Sequence, residues 1–181
     1  MSQPTMVLAR ARTETAVYVV GFAAAAALAS QVAVPIPGTP VPLALAPMAA
    51  VLAGLLLGPR AGAMSMALFV LAGAAGLPVF APMGLPGIAR LAGPTGGYLL
   101  AYPFAAALAG SIALRLPTMA GRIVAAASGM VLIHVGGVAQ LAILTGSVAT
   151  AAQLGSAPFI LADAAKSIAA GVIASSRARR A

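Results

Sequence analysis

The charged residues of this chain are so far apart that most of it has nowhere to go but a membrane. After Glu14 the next ionised side chain is Arg60, then Arg90, then Arg115 and Arg122, then Asp163 and Lys166, with a last cluster from Arg177. The intervals are filled by Ala, Leu, Val, Ile and Gly. A soluble domain carries about a quarter charged residues. Here the charged share is 7%, the hydrophobic share is 62%, and the mean hydropathy is +1.07. At about 20 residues per crossing, 181 residues accommodate six spanning helices in one compact domain. Strand alternation is absent, which argues against a barrel.

The same scarcity excludes several chemistries. The net charge of +8 is spread as single cations between apolar runs, not as a basic patch interleaved with aromatics, so nucleic acid is not the expected partner. Without Cys, and with one His and two acids, no thiolate chemistry and no all-protein metal site is expected. Lys166 follows Ala165 and belongs to no phosphate-binding loop, so ATP is not bound by that route.

The expected fold class is an all-α integral membrane protein: one six-helix bundle over residues 1–181, with approximate spans 16–34, 43–57, 61–76, 96–116, 123–144 and 158–176. Segment 1–15 is polar enough to lie outside the bilayer, and the first helix is expected to be retained rather than cleaved as a signal peptide. Pro35, Pro37, Pro40 and Pro42 with Gly38 force a first loop. Gly58-Pro59-Arg60 ends the short second helix. Residues 77–95 form a long second loop on the same side as the first, and 145–157 a small uncharged one. With six crossings both termini share a side, which holds Arg10, Arg12, Arg60, Arg115, Arg122, Arg177, Arg179 and Arg180. By the positive-inside rule that side is cytoplasmic. Arg90 is left on the other.

An arginine against the charge rule, set among Gly84, Pro86, Gly87 and Gly93-Pro94-Thr95-Gly96-Gly97, is a candidate clamp for a carboxylate, because a guanidinium can give two parallel hydrogen bonds. The plain alternative is an interfacial cation near lipid phosphates. Asp163 and Lys166 are the ionisable pair within a spanning helix. Three residues apart, they share a face, and a charge at a helix centre costs about 2.5–3.5 kcal/mol, so both must face protein or a wet cavity. They lie roughly 7 and 12 Å below the helix start at Pro158. A structural ion pair would satisfy the same demand. His134 is expected to hydrogen-bond to a neighbouring helix rather than to catalyse, since Ser128 is badly spaced for a nucleophile and no G-x-S-x-G elbow exists. The chain is therefore not expected to be an enzyme. The alanine run 23–27 is suited to close helix packing, internal or with a partner subunit. The suitable guest is small, with a carboxylate, an amide-like donor and an apolar body.

The strings Leu55-Leu56-Leu57-Gly58-Pro59-Arg60-Ala61-Gly62-Ala63, Gly73-Ala74-Ala75-Gly76-Leu77-Pro78-Val79-Phe80 and Gly93-Pro94-Thr95-Gly96-Gly97-Tyr98-Leu99 closely resemble the BioY family, as does Pro158-Phe159-Ile160 leading to Asp163 and Lys166. These are the biotin-specific S components of energy-coupling factor (ECF) transporters, and the resemblance spans nearly the whole chain. It implies capture of biotin from outside, with the loop after helix one as a lid, and uptake across the cytoplasmic membrane driven by a T component and two ATPases. No cofactor is implied. It places Arg90, Asp163, Lys166, Thr95 and Tyr98 at the substrate: Arg90 and Lys166 toward the carboxylate end or its surroundings, Asp163 toward the ureido N–H groups. It places Ala23 and Ala27 at the partner contact. Transport without the energising module and a non-transporting structural role are the competing readings. One departure stands out: Ala44 and Ala46 occupy positions where the family usually has Thr and Gln.

Overall fold

The computed structural model describes residues 3–178, with side chains from Thr13 onward. Arg179 and Arg180, and the side chains of Arg10 and Arg12, lie outside the described residues. The elements are α1 (Gln3–Gln31), β1 (Ala33–Val34), β2 (Leu43–Ala44), α2 (Ala46–Ala74), α3 (Ala89–Ala92), α4 (Gly96–Arg115), α5 (Met119–Thr145), α6 (Val148–Gly155) and α7 (Ile160–Ala178). Five segments are long and apolar enough to cross a membrane: Thr13–Gln31, Ala46–Ala74, Gly96–Arg115, Met119–Thr145 and Val148–Ala178.

The segment Ala46–Ala74 is two helices in space. Gly58 has φ 82° and ψ 175°, outside helical geometry, and a left-handed φ of this kind is open to glycine at little cost. A Cβ built on Gly62 would lie 2.8 Å from the Cα of Gly54, whereas eight residues of straight helix span about 12 Å. The chain therefore doubles back, and limbs 46–57 and 59–74 form a hairpin. Pro59 begins the second limb, where a missing N–H costs nothing. This is the break expected at Gly58-Pro59-Arg60.

Other boundaries differ from expectation. The helical backbone of α1 begins at Gln3 instead of 16, and it stops at Gln31 because residues 33–34 pair with 43–44 in an antiparallel ladder, Ala33 opposite Ala44 and Val34 opposite Leu43. The four prolines of the first loop are thus carried on a small clamped hairpin, and α2 starts at Ala46 instead of 43. The expected loop 145–157 contains α6, started by the Ser147 side chain, which accepts from the backbone N–H of Thr150. Arg90 lies in α3, a single turn inside the long loop.

Large apolar side chains point outward, as in Leu28, Ile143 and Leu161, the last 86% exposed. Small residues face inward. In lipid there is no hydrophobic drive to bring helices together, so association relies on close backbone approach. A Cβ on Gly54 would sit 2.0 Å from the carbonyl oxygen of Ala106, and one on Gly97 would sit 2.2 Å from that of Gly136. Around Phe69, an edge contact to Phe80 at 5.5 Å and a stack on Tyr102 at 6.1 Å fill the space between.

The two ends of the bundle differ. At one, Gly110 abuts Gly58 and Pro59, and Gly171 abuts Ile123, which gathers the helix ends carrying Arg60, Arg115, Arg122 and Arg177. At the other, side chains tie loops to helix ends: Gln31 to the carbonyl of Phe80 at 3.2 Å, Thr39 to that of Leu154 at 2.6 Å, and Tyr98 to that of Gly155 at 2.7 Å.

Candidate functional site

The loop end of the bundle holds a charged cluster built from two helices and the turn between α6 and α7. On α7, the carboxylate of Asp163 accepts from Lys166 Nζ through Oδ1 at 2.8 Å. Helical spacing of three residues brings the two onto one face. From α5, His134 Nε2 reaches the other oxygen, Oδ2, at 2.8 Å, and His134 Nδ1 meets Ser156 Oγ at 3.0 Å. The imidazole stands edge-to-face with Tyr98 at 6.1 Å and tilted against Phe159 at 6.5 Å. Asp163 and Lys166 are buried. Burying charges is tolerable when they are paired and hydrogen-bonded, which this cluster achieves.

Arg90 is held differently. Only 7% exposed, it donates from its two terminal nitrogens to the backbone carbonyls of Met83 and Ala81. Gly84 has φ +103°, and a Cβ there would collide with the guanidinium, so this glycine is what lets the loop close over the side chain. Burial holds the Arg90 pKa below its ordinary value, yet a guanidinium remains charged in proteins. Two of its five N–H donors serve the loop, and the buried Nε has no protein partner. The Thr95 hydroxyl is likewise buried without one. Unpaired buried donors are costly and uncommon; Arg90 and Thr95 line the same cavities, and among the described residues Ser65 Oγ is the third such atom.

Three adjoining cavities connect these groups. One of about 30 Å³ is walled by His134, Asp163, Lys166 and Tyr98. A second, about 70 Å³, is walled by Arg90, Thr95, Tyr98 and Tyr102. A third, about 250 Å³, lies outside Arg90 and Thr95 beneath the first loop. Val41 and Pro42 line all three, and Tyr98, Ala44 and Pro47 separate the inner two. Pockets for small molecules commonly measure about 300–1,000 Å³; the two inner cavities are much smaller, and Val41 and Pro42 of the first loop form part of their walls. Ala44 lines both inner cavities and Ala46 one of them, so this departure from the family pattern falls on the cavity wall.

The structure thus brings Asp163, Lys166 and Tyr98 to one cavity, and Arg90, Thr95 and Tyr98 to its neighbour. Arg90 and Lys166 line different cavities. His134 and Ser156 join the cluster without having been singled out as site residues. The signal for His134 was a polar residue in the middle of an apolar span, which demands a partner; the partner's identity lay 29 positions away. On α1, Ala23 is buried and Ala27 partly so, whereas Ala24 and Ala25 face outward. Among the described residues no group of three or more His, Cys, Asp or Glu is arranged to hold a metal.

These features define a multi-pass helical membrane protein with a compact internal site, lined by charge, at the end opposite its arginine-rich helix termini. Residues 2–181 match the BioY family, and the chain belongs to it. It is 39% identical over 153 residues to the probable biotin transporter BioY of Pyrococcus horikoshii, covering 84% of this chain and 89% of that protein. To the biotin transporter BioY of Thermotoga maritima it is 34% identical over 139 residues, covering 77% and 82%. Its fold is similar to the crystal structure of the S-component for biotin from an ECF-type ABC transporter, with a TM-score of 0.85, 28% identity, and coverage of 100% of this chain and 95% of that one.

Proposed function

We propose that this protein is the substrate-binding component of an ECF transporter and captures biotin for uptake across the cytoplasmic membrane. The observation that carries the reading is the pair of inner cavities sharing Tyr98 and Pro42, with Arg90 and Thr95 at one and Asp163 and Lys166 at the other. Biotin has matching ends: an aliphatic acid, an apolar bicycle and a ureido group with two N–H donors and a carbonyl. Arg90 takes the carboxylate with its spare donors, and Thr95 adds its unpartnered hydroxyl. Asp163 accepts one ureido N–H, Lys166 donates to the ureido oxygen beside it, and Tyr98 packs between the two ends. The chain acts as a binding and transport protein, not an enzyme, and holds no cofactor of its own.

In this reading all six helical limbs cross the bilayer, both termini are cytoplasmic, and the site faces outward. A T component and two ATPases supply the energy. Ala23 and Ala27 are the proposed contact on α1; Ala27 is the more accessible of the two, and Ala24 and Ala25 extend the outward face beside it. The test is a titration of the detergent-purified protein with biotin. Tight binding is expected, with Asp163→Asn weakening it at least about tenfold, or about 1.4 kcal/mol. No binding by the unaltered protein would reject the function.

A further inference from the structure

The turn that carries Arg90 has few attachments to the rest of the bundle. Residues 77–95 are held to themselves by local backbone bonds and by the Arg90 guanidinium. Among the described residues, the side chains that hydrogen-bond to this segment from outside it are two glutamine amides. Gln31 holds its start, at the carbonyls of Pro78 and Phe80. Gln140 of α5 holds its end, donating from Nε2 to the carbonyl of Leu91 at 2.8 Å and to that of Gly93 at 2.7 Å. An amide nitrogen carries two hydrogens, so both are spent on the residues that follow Arg90. These carbonyls close the C-terminal end of α3, where a helix leaves acceptors unsatisfied. With two carbonyl oxygens facing it, that end of the amide must be the donor.

The passage for this side chain is made by α4. A Cβ on Gly96 would lie 1.9 Å from the Leu91 carbonyl oxygen and 2.7 Å from Gln140 Nε2, and one on Gly97 would lie 2.8 Å from Gln140 Cβ. The two glycines that open α4 therefore clear the way from α5 to α3. Arg90 lines the cavities of the site, whereas its neighbours Leu91 and Ala92 line a separate, open and mainly apolar groove of about 660 Å³ beside α4 and α5. Packing behind the turn is thus incomplete, and the amide supplies its direct tie to α5.

We infer that Gln140 is a positioning residue for carboxylate recognition: by fastening the Leu91 and Gly93 carbonyls to α5, it holds the turn from which Arg90 meets the acid end of the ligand. This rests on the biotin-binding reading above and gives its loop end a fixed point on a long helix. Without the amide, α3 keeps its own backbone bonds but loses that fixed point. The bonds of the Asp163 cluster involve neither α3 nor Gln140, so recognition at the ureido end is left as it was.

The experiment titrates three ligands into the unaltered protein, Gln140→Met and Gln140→Asn: biotin, biotinamide, and the biotin analogue with an N–H group in place of the ureido oxygen. Met has the length of Gln without a donor, and Asn carries its amide on a shorter stem. In both variants the preference for biotin over biotinamide is expected to fall by about fivefold or more, while the preference for biotin over the ureido analogue holds. An unchanged amide preference, or an equal fall in both preferences, overturns the inference. Absence of an amide preference in the unaltered protein overturns it too, since no carboxylate contact is then there to be positioned. If Gln140→Met does not fold, Gln140→Asn decides by the same two ratios. Failure of the unaltered protein to bind biotin would instead remove the function, and this inference with it.

Discussion

The two charged ends of the site are built on opposite plans. Around Asp163 every bond of the side-chain carboxylate runs to another side chain, and the participating residues come from the long helices α5 and α7. Around Arg90 the recorded bonds run to backbone carbonyls seven and nine residues upstream, in a loop of Pro and Gly. The helical end is set once the bundle is packed. The loop end exists only while residues 81–90 are closed, and the same guanidinium closes them. One end is therefore in place once the helices pack, and the other depends on closure of its loop.

The comparison breaks most readily at Asp163. Replacing it by Ala leaves the buried Lys166 and the half-buried His134 without their shared partner, and removing one member of a buried pair costs about 3–5 kcal/mol. Biotin affinity is expected to fall by at least about a hundredfold, with a lower thermal midpoint in detergent. Retained affinity would show that the helical end does not recognise the ligand. Arg90→Ala is expected to weaken binding by about tenfold and to speed amide exchange across 81–90 while α5 and α7 keep their protection. Equal loosening of α7 would erase the distinction between the ends. Arg90→Lys should not restore the loop, since one ammonium lacks the planar fork that serves two carbonyls.

Smaller effects sharpen it. Thr95→Val removes a hydroxyl that has no protein partner, so the thermal midpoint should be unchanged while affinity drops by about 0.5–1.5 kcal/mol, the worth of one hydrogen bond. A stability loss would mean that the hydroxyl serves the fold. Thr39→Val cuts the tie from the first loop to Leu154. It is expected to raise the biotin dissociation rate a few-fold, for about 1 kcal/mol, with little change in association.

Much of this contrast was legible in the residues. Asp163 and Lys166 share a face by spacing alone, and a break at Gly58-Pro59 follows from the backbone preferences of a Gly-Pro pair. Arg90 stood apart because a charge pattern sums over the whole chain. What escaped was local pairing decided by tertiary context. The 33–34 and 43–44 ladder joins segments too short for any periodic signal, and α3 is one turn in a loop whose composition argues against helix. His134 showed its need for a partner but not which one, because hydropathy records the length of a span and not the face it presents to a neighbour. The burial of Ala23 is another such case: a run of five alanines carries no register, and packing against the rest of the bundle chose it.

In the function proposed above, the loop end reads the carboxylate of biotin and the helical end reads its ureido group. Titrating biotin and biotinamide against the unaltered protein and against Arg90→Ala tests it most directly. Loss of the negative charge is expected to cost about tenfold or more in the unaltered protein and almost nothing once Arg90 is gone. An amide penalty of the same size in both proteins would contradict it.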